Sequence, residues 1–115
     1  MIERKTVLDQ IEIRRNGEVA LRFGLLLVED GNEIGCEWHR TVVPPGADPA
    51  AQIEIVNKHF AMGVERKDGS VMKPKPIPAD EIPRVAEVCK LIHKADVVKN
   101  YKAEEEKRRK AAELR

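Results

Sequence analysis

The sequence predicts an α+β domain in which a three-stranded antiparallel meander is packed by helices that follow it in the chain. The first 45 residues contain three segments in which apolar and polar residues alternate, as in strands with one buried face. Asn16-Gly17 and Asp30-Gly31 separate these segments, and both dipeptides favour tight hairpin turns. Further along, apolar residues recur every three or four positions, which is typical of amphipathic helices. We place strands at about 6–15, 18–29 and 33–43, and helices at about 49–62, 81–93 and 96–114.

Side-chain alternation predicts which strand face is buried. The apolar set spaced by two residues comprises Ile11, Ile13, Val19, Leu21, Phe23, Leu25, Leu27, Ile34, Cys36, Trp38 and Val42. A two-residue type I′ turn at Asp30-Gly31 would pair Leu27 with Ile34, Leu25 with Cys36, and Phe23 with Trp38. The same two-residue turn at Asn16-Gly17 would put the apolar residues of the two strands on opposite faces of the sheet. We therefore expect a three-residue loop of residues 15–17, with Gly17 left-handed and Ile13 opposite Val19.

The first helix has start and stop signals. Pro44 and Pro45 end the sheet because proline cannot donate to a ladder. Asp48 can then cap a helix with Pro49 at its first position, and Gly63 can end it. Residues 64–79 are predicted to form an irregular connector with a tight turn or short hairpin at Asp68-Gly69, and this connector is either functional or merely flexible.

The second and third helices differ in character. The second has a wide apolar stripe, so we expect it to be the most buried helix. Its stripe comprises Ile82, Val85, Ala86, Val88, Cys89, Leu91 and Ile92. The third begins with Val97, Val98 and Tyr101, after which residues 102–110 carry no large apolar side chain. We therefore predict a single domain over 1–101 and a projecting, charged helical tail over 102–115.

Composition narrows the class of partner. Charged residues make up 36% of the 115 residues, yet the formal net charge is +1, so no overall field indicates nucleic acid or an anionic membrane. No apolar run is long enough to span a bilayer, and Met1 leads into an alternating strand and not into a signal-peptide core. We expect a cytoplasmic protein with both cysteines, Cys36 and Cys89, reduced.

Cysteine and histidine spacing raises the question of zinc. Cys36 and His39, with Cys89 and His93, form a Cys2His2 set. On a regular strand, however, Cys36 and His39 point to opposite faces. The positions of these four residues therefore predict no metal site. The sequence as a whole contains no recognisable catalytic or cofactor-binding motif.

Candidate partner-binding residues come from two regions. Arg40 is predicted on the core side, where it would form an ion pair with Asp9 unless it or His39 contacts a partner. The basic cluster at 107–110 directly follows three glutamates, so it forms a solvated helix face or an electrostatic contact surface. The candidate set is His39, Arg40, Val97, Val98, Tyr101, Arg108 and Arg109.

Residues 38–48 carry a family resemblance. The stretch has the form aromatic-His-Arg, four residues, Pro-Gly-x-Asp, and it follows a hairpin with Ile11, Ile13, Gly17, Val19 and Arg22. In these positions the chain resembles small bacteriophage and prophage proteins of the late, virion-morphogenesis region. About three quarters of the chain takes part, and the connector at 64–79 departs from the pattern.

The residues and the resemblance leave two classes of function open. The resemblance implies a non-enzymatic structural or assembly protein, tail- or tail-tip-associated, present in the host cytoplasm during assembly and then in the virion. It would dock on other phage structural proteins, or on copies of itself, through an open sheet edge or through residues 97–115. The alternative is a small phage-encoded regulator or inhibitor that binds a host or defence protein. Neither class needs a cofactor or a small-molecule substrate.

Overall fold

The computed structural model describes residues 1–114 and confirms the α+β class, with an antiparallel meander ordered β1-β2-β3. Arg115, the end of the predicted tail, lies outside the described residues. The elements are β1 (Ile2–Ile13), β2 (Val19–Glu29), β3 (Asn32–Val43), α1 (Pro49–Met62), β4 (Val64–Glu65), β5 (Val71–Met72), α2 (Glu81–Ile92) and α3 (Ala95–Glu113).

The β1–β2 hairpin has the predicted register. Ile13 pairs with Val19, and Gly17, at φ 94°, closes the three-residue loop. Further along β1, a bulge at Asp9 shifts the pairing by one residue. The strand continues beyond the predicted start at residue 6, back to Ile2.

The β2–β3 register corrects the predicted one. The turn has both central residues at positive φ, 49° for Asp30 and 83° for Gly31, as type I′ requires. Val28 then pairs with Glu33 but Leu27 pairs with Gly35, so Ile34 is an extra, bulged residue. Every later residue of β3 is therefore on the opposite face from the predicted one. The observed pairs are Leu27 with Gly35, Leu25 with Glu37, Phe23 with His39, and Gly24 with Trp38.

The core lies between the helices and the sheet face that carries Val19, Leu21 and Phe23. The side chains that are less than 2% exposed are Phe23, Phe60, Leu21, Ile53, Val19, Val43 and Val85. Val43 thus replaces the predicted core residues Cys36 and Trp38 on β3. Ile13 and Ile34, also predicted on the core face, are exposed because they lie at the end of β1 and in the bulge.

Helix α1 has the predicted bounds. Asp48 Oδ1 accepts a hydrogen bond from the Ala50 N–H at 3.1 Å, and Pro49 begins the helix. Gly63, at φ 108°, ends it by donating its N–H to the carbonyls of His59 and Phe60. These signals act between residues close together in the sequence, so both ends of α1 could be predicted from the sequence.

Helix α2 is less buried than predicted. Only Val85 and Cys89 of its stripe are buried, and Leu91 is 70% exposed. The most extensive packing of this helix is against α1, and Ile82, Ala86, Val88 and Ile92 of the stripe are only half-buried.

The connector is part of the fold. Its first half forms the predicted short hairpin, β4 and β5, around Asp68-Gly69. Met72 of β5 and, in the second half, Ile77 belong to the core, and Pro74 between them is buried. The Asn57 side-chain oxygen accepts from the Ile77 N–H at 2.8 Å, and the Thr6 hydroxyl donates to the Lys75 carbonyl at 2.6 Å. These bonds hold the proline-rich path in place.

Candidate protein-docking surface

The outer face of the sheet, the face opposite the helices, carries the only tryptophan of the chain. The Ile34 bulge places Trp38 on this face, where its side chain is 48% exposed. The outer face also holds Val7, Gln10, Glu12, Ala20, Arg22, Gly24, Leu26, Cys36, Arg40 and Val42. Two shallow cavities on it, about 170 and 480 Å³, are lined only by residues 1–42. No helix of the described chain therefore covers them.

Trp38 is held in one position by its neighbours. Its pairing partner is Gly24, which leaves room for the indole: a Cβ there would lie 3.4 Å from Trp38 Cζ3 and 3.2 Å from Val7 Cγ2. The Arg22 guanidinium carbon lies 4.3 Å from the centroid of the indole. Arg22 Nε in turn donates to Asp9 Oδ2 at 2.8 Å. Asp9, Arg22 and Trp38 therefore form one connected cluster, which we call the Trp38 anchor.

Asp9 and Arg22 were not among the predicted site residues, and Asp9 pairs with Arg22 in place of Arg40. The bulge at Asp9 creates this contact by turning the carboxylate toward β2. One signal was available in the sequence, since Arg22 is a charged residue in an apolar strand. Which residue pairs with Arg22 depends on the bulges at Asp9 and Ile34, and the alternation of apolar and polar residues does not predict bulges.

Arg40 and His39 lie on opposite faces, each reversed from its predicted face. Arg40 is exposed on the outer face, directly across from Arg22. It has no ion pair with any residue of the described chain. Because Arg22 is already paired with Asp9, Arg40 is a free cation beside the Trp38 anchor.

His39 faces helix α1. Its ring packs edge-on against Phe60, with ring centroids 5.0 Å apart, and lies 5.6 Å from the ring of His59. Burial lowers the pKa of His39, and the nearby His59 lowers it further. The neutral imidazole is therefore favoured, and His39 serves the contact between β3 and α1.

A groove of about 620 Å³ separates β3 from the β4–β5 hairpin, and we call it the β3 groove. Glu37, Trp38 and Arg40 line one wall, and residues 64–68 line the other. Arg66 Nε lies 3.3 Å from Glu37 Oε2, which joins the walls. The angle of this contact gives no hydrogen bond, so the buried Nε has no hydrogen-bond partner.

Helix α3 contacts the rest of the domain through the predicted residues of its first turns. Val97 packs on Gly17 and Val98 on Gly46. The Tyr101 hydroxyl donates to Glu18 Oε2 at 3.1 Å, and burial, then this bond, raises the pKa of Tyr101. His93 Nε2 lies 2.7 Å from the Gly17 carbonyl oxygen. These contacts attach His93 and the start of α3 to the β1–β2 loop and to Gly46, while residues 102–114 are exposed.

Arg108 and Arg109 lie on the exposed part of α3. They pair within the helix, Arg108 with Glu105 at 2.6 Å and Arg109 with Glu106 at 3.3 Å. Such exposed pairs contribute little to stability. Both arginines remain accessible to a partner, far along the chain from the Trp38 anchor.

The cysteines and histidines do not converge. Cys36 lies on the outer face and His39 on the inner one, while Cys89 is buried. Burial raises the pKa of both thiols, and for Cys36 the Glu33 carboxylate adds to the effect. Within residues 1–114, no three or more His, Cys, Asp or Glu side chains are grouped as metal ligands would be.

No protein-family model matches this chain, and no curated protein or solved structure matches it. Among the described residues, no helix has both the length and the apolar character needed to cross a membrane.

Proposed function

We propose that this protein is a non-enzymatic structural or assembly protein of a bacteriophage or prophage, and that it acts by docking on another protein of the particle, at the tail or tail tip. One observation carries the docking function. A half-exposed tryptophan stacks with Arg22 on the outer face of the sheet, and two shallow cavities on that face are lined only by residues 1–42.

Tryptophan and arginine dominate the binding energy of protein interfaces. An aromatic residue that is already fixed before binding loses less conformational entropy on association. Gly24 and Arg22 fix the indole here, and apolar Val7 and Leu26 lie beside the same glycine. The fold gains little from exposing such a large apolar side chain, so an external contact is the simplest reason for this arrangement.

The phage assignment depends on the resemblance of residues 38–48. The residues of that stretch have different structural roles. Gly46, at φ 90°, is packed against Val98, and Asp48 caps α1, so both serve the fold. Trp38 and Arg40 point away from the core and make no comparable contribution to it. These two residues are the part of the stretch available for a partner.

Co-sedimentation with particles tests the proposal. The chain and its Trp38→Ala variant would be produced in infected or induced host cells, and the particles purified on a density gradient. Leu91→Ala is the matched control because Leu91 is an exposed apolar residue on α2. We expect the unchanged protein and Leu91→Ala to be retained on particles, and Trp38→Ala to be lost.

Retention of a folded Trp38→Ala variant at the control level would contradict docking through the Trp38 anchor. Recovery of the unchanged protein away from particles, bound to a soluble host protein, would instead support the regulator or inhibitor alternative.

A further inference from the structure

We propose that Asp9, the bulged residue of β1, is a positioning residue for docking: through Arg22 it sets the orientation of Trp38 on the outer face of the sheet. This inference rests on the proposed docking function, and it adds the bulge of β1 to the elements on which docking depends.

The Arg22 guanidinium is bound to Asp9 along one edge. Its Nε and Nη2 atoms both donate to Asp9 Oδ2, and the bond from Nε is 2.8 Å long. Because the N–H groups of a guanidinium are coplanar, two bonds along one edge fix the direction of its plane. They also leave both faces of the group free to stack. The guanidinium carbon lies 4.3 Å from the centroid of the Trp38 ring, within the range of a cation–π contact.

The bulge of β1 supplies this carboxylate. In the ladder between β1 and β2, Leu8 pairs with Phe23 and Gln10 pairs with Arg22, so Asp9 is the extra residue. Gln10 and Asp9 therefore both lie beside Arg22, where a regular strand would place one residue. Bulges commonly redirect a side chain in this way. The hydrogen bonds of the Asp9 side chain within the described chain are both with Arg22, so we infer that Asp9 influences the indole through that residue.

The charges around Arg22 make Asp9 necessary for the stacking. Arg40 lies directly opposite Arg22 on β3 and has no ion pair within the described chain. Like charges opposite each other on neighbouring strands repel. Asp9 offsets this repulsion from the β1 side, and both members of its ion pair are only 31% exposed, so solvent screens the pair incompletely. Without Asp9, Arg22 would lose two hydrogen bonds and its counter-charge, and we expect it to extend into solvent away from the indole.

Acrylamide quenching of Trp38, the single tryptophan, tests this inference without a partner. The quenching constant is measured for the unchanged chain, for Asp9→Ala, for Arg22→Met and for the double variant, each shown to be folded by circular dichroism. We expect Asp9→Ala to raise the constant most of the way to its value in Arg22→Met. In the double variant, Asp9→Ala should add nothing further, because two residues that act through one contact are not additive.

Glu12→Ala is the matched control. Glu12 is an exposed carboxylate on the same strand, on the outer face, and it has no hydrogen bond with Arg22. This variant should leave the quenching constant and the particle retention of the protein unchanged. In titrations with purified particles, Asp9→Ala should bind about twofold to fivefold more weakly, as expected from the loss of one exposed cation–π contact.

Three results would overturn the inference: an unchanged quenching constant in Asp9→Ala, an equal rise when Asp9→Ala is added to Arg22→Met, or particle binding of Asp9→Ala equal to that of Glu12→Ala while Trp38→Ala is lost from particles. Failure of the proposed function is a different result, namely retention of Trp38→Ala on particles. In that case the quenching measurements still decide whether Asp9 orients the indole.

Discussion

The Arg22 guanidinium carbon lies 4.3 Å from the centre of the Trp38 indole, and the Nε of the same group donates to Asp9 Oδ2. This contact fixes an exposed aromatic residue on the outer face of the sheet. It joins β1, β2 and β3 through side chains, in addition to their backbone ladders. The arrangement leads to predictions about both stability and binding.

Replacing Arg22 with Met should release the indole. The cation–π contact at a half-exposed site contributes about 0.5 to 1 kcal/mol, and Asp9 also loses its partner. We expect a loss of stability of about 1 kcal/mol in urea denaturation and easier acrylamide quenching of Trp38. Arg40→Met is the control, because Arg40 lies opposite Arg22 without stacking on the ring. Equal quenching in both variants would contradict the fixed position of Trp38.

Core and surface aromatics should differ in their contribution to stability. Phe23→Ala removes a fully buried ring and should cost about 3 to 5 kcal/mol, whereas Trp38→Ala should cost about 1 kcal/mol because half of its side chain is already in water. Chemical denaturation of both variants measures the difference. If Trp38→Ala proved as destabilising as Phe23→Ala, Trp38 would belong to the core, as the simple alternation predicted.

The close contact between Gly17 and Val97 should make Gly17→Ala more costly than backbone strain alone. A Cβ at Gly17 would lie 2.4 Å from Val97 Cγ1, so the start of α3 must move. Gly69→Ala is a matched control, since Gly69 has a similar φ of 87° but nothing within 4 Å of its Cβ. We expect about 1 kcal/mol for Gly69→Ala and about 1 to 3 kcal/mol more for Gly17→Ala. Similar values in thermal or urea unfolding would show that α3 does not dock as described.

Acid should destabilise the contact between β3 and α1. Burial, and then His59, holds the pKa of His39 below its ordinary value of 6.5. Below that value the unfolded chain binds a proton more readily than the folded one, so stability falls as the pH drops through 6.5 toward the folded pKa. Denaturant unfolding between pH 8 and 5 should show this loss.

His39→Gln should reduce the pH dependence, and His59→Gln should move the His39 pKa back toward 6.5. Ring-proton NMR titration measures that shift. An unchanged His39 pKa in His59→Gln would show that the two rings do not interact electrostatically.

The charged end of α3 should be dispensable for folding. Residues 102–114 are exposed, while Val97, Val98 and Tyr101 retain their contacts when the chain ends at Tyr101. We expect deletion of 102–115 to leave the thermal unfolding temperature, followed by circular dichroism, nearly unchanged. A large decrease would show that the tail supports the domain.

The same truncation separates two docking elements in particle co-sedimentation. Loss of particle binding would assign docking to the tail, including Arg108 and Arg109. Retention would leave the Trp38 anchor as the docking element.

Local signals determined much of this fold. The Asp48 cap, Pro49 and Gly63 specify both ends of α1, and the glycines at 17 and 31 specify two unequal hairpin loops. These features depend on backbone geometry and hydrogen bonds among residues close in sequence, so the sequence alone could locate them.

Only the tertiary structure decided which face of β3 is buried. Both faces of that strand carry apolar residues, Cys36 and Trp38 on one and Val43 on the other, so alternation alone was ambiguous there. Packing of His39 against Phe60, the complete burial of Val43, and the space above Gly24 favour the bulged register. A bulge moves all later side chains to the other face, and its presence depends on contacts between residues far apart in the chain. For that reason the sequence predicted the sheet, while the structure placed Trp38 and Arg40 on its surface.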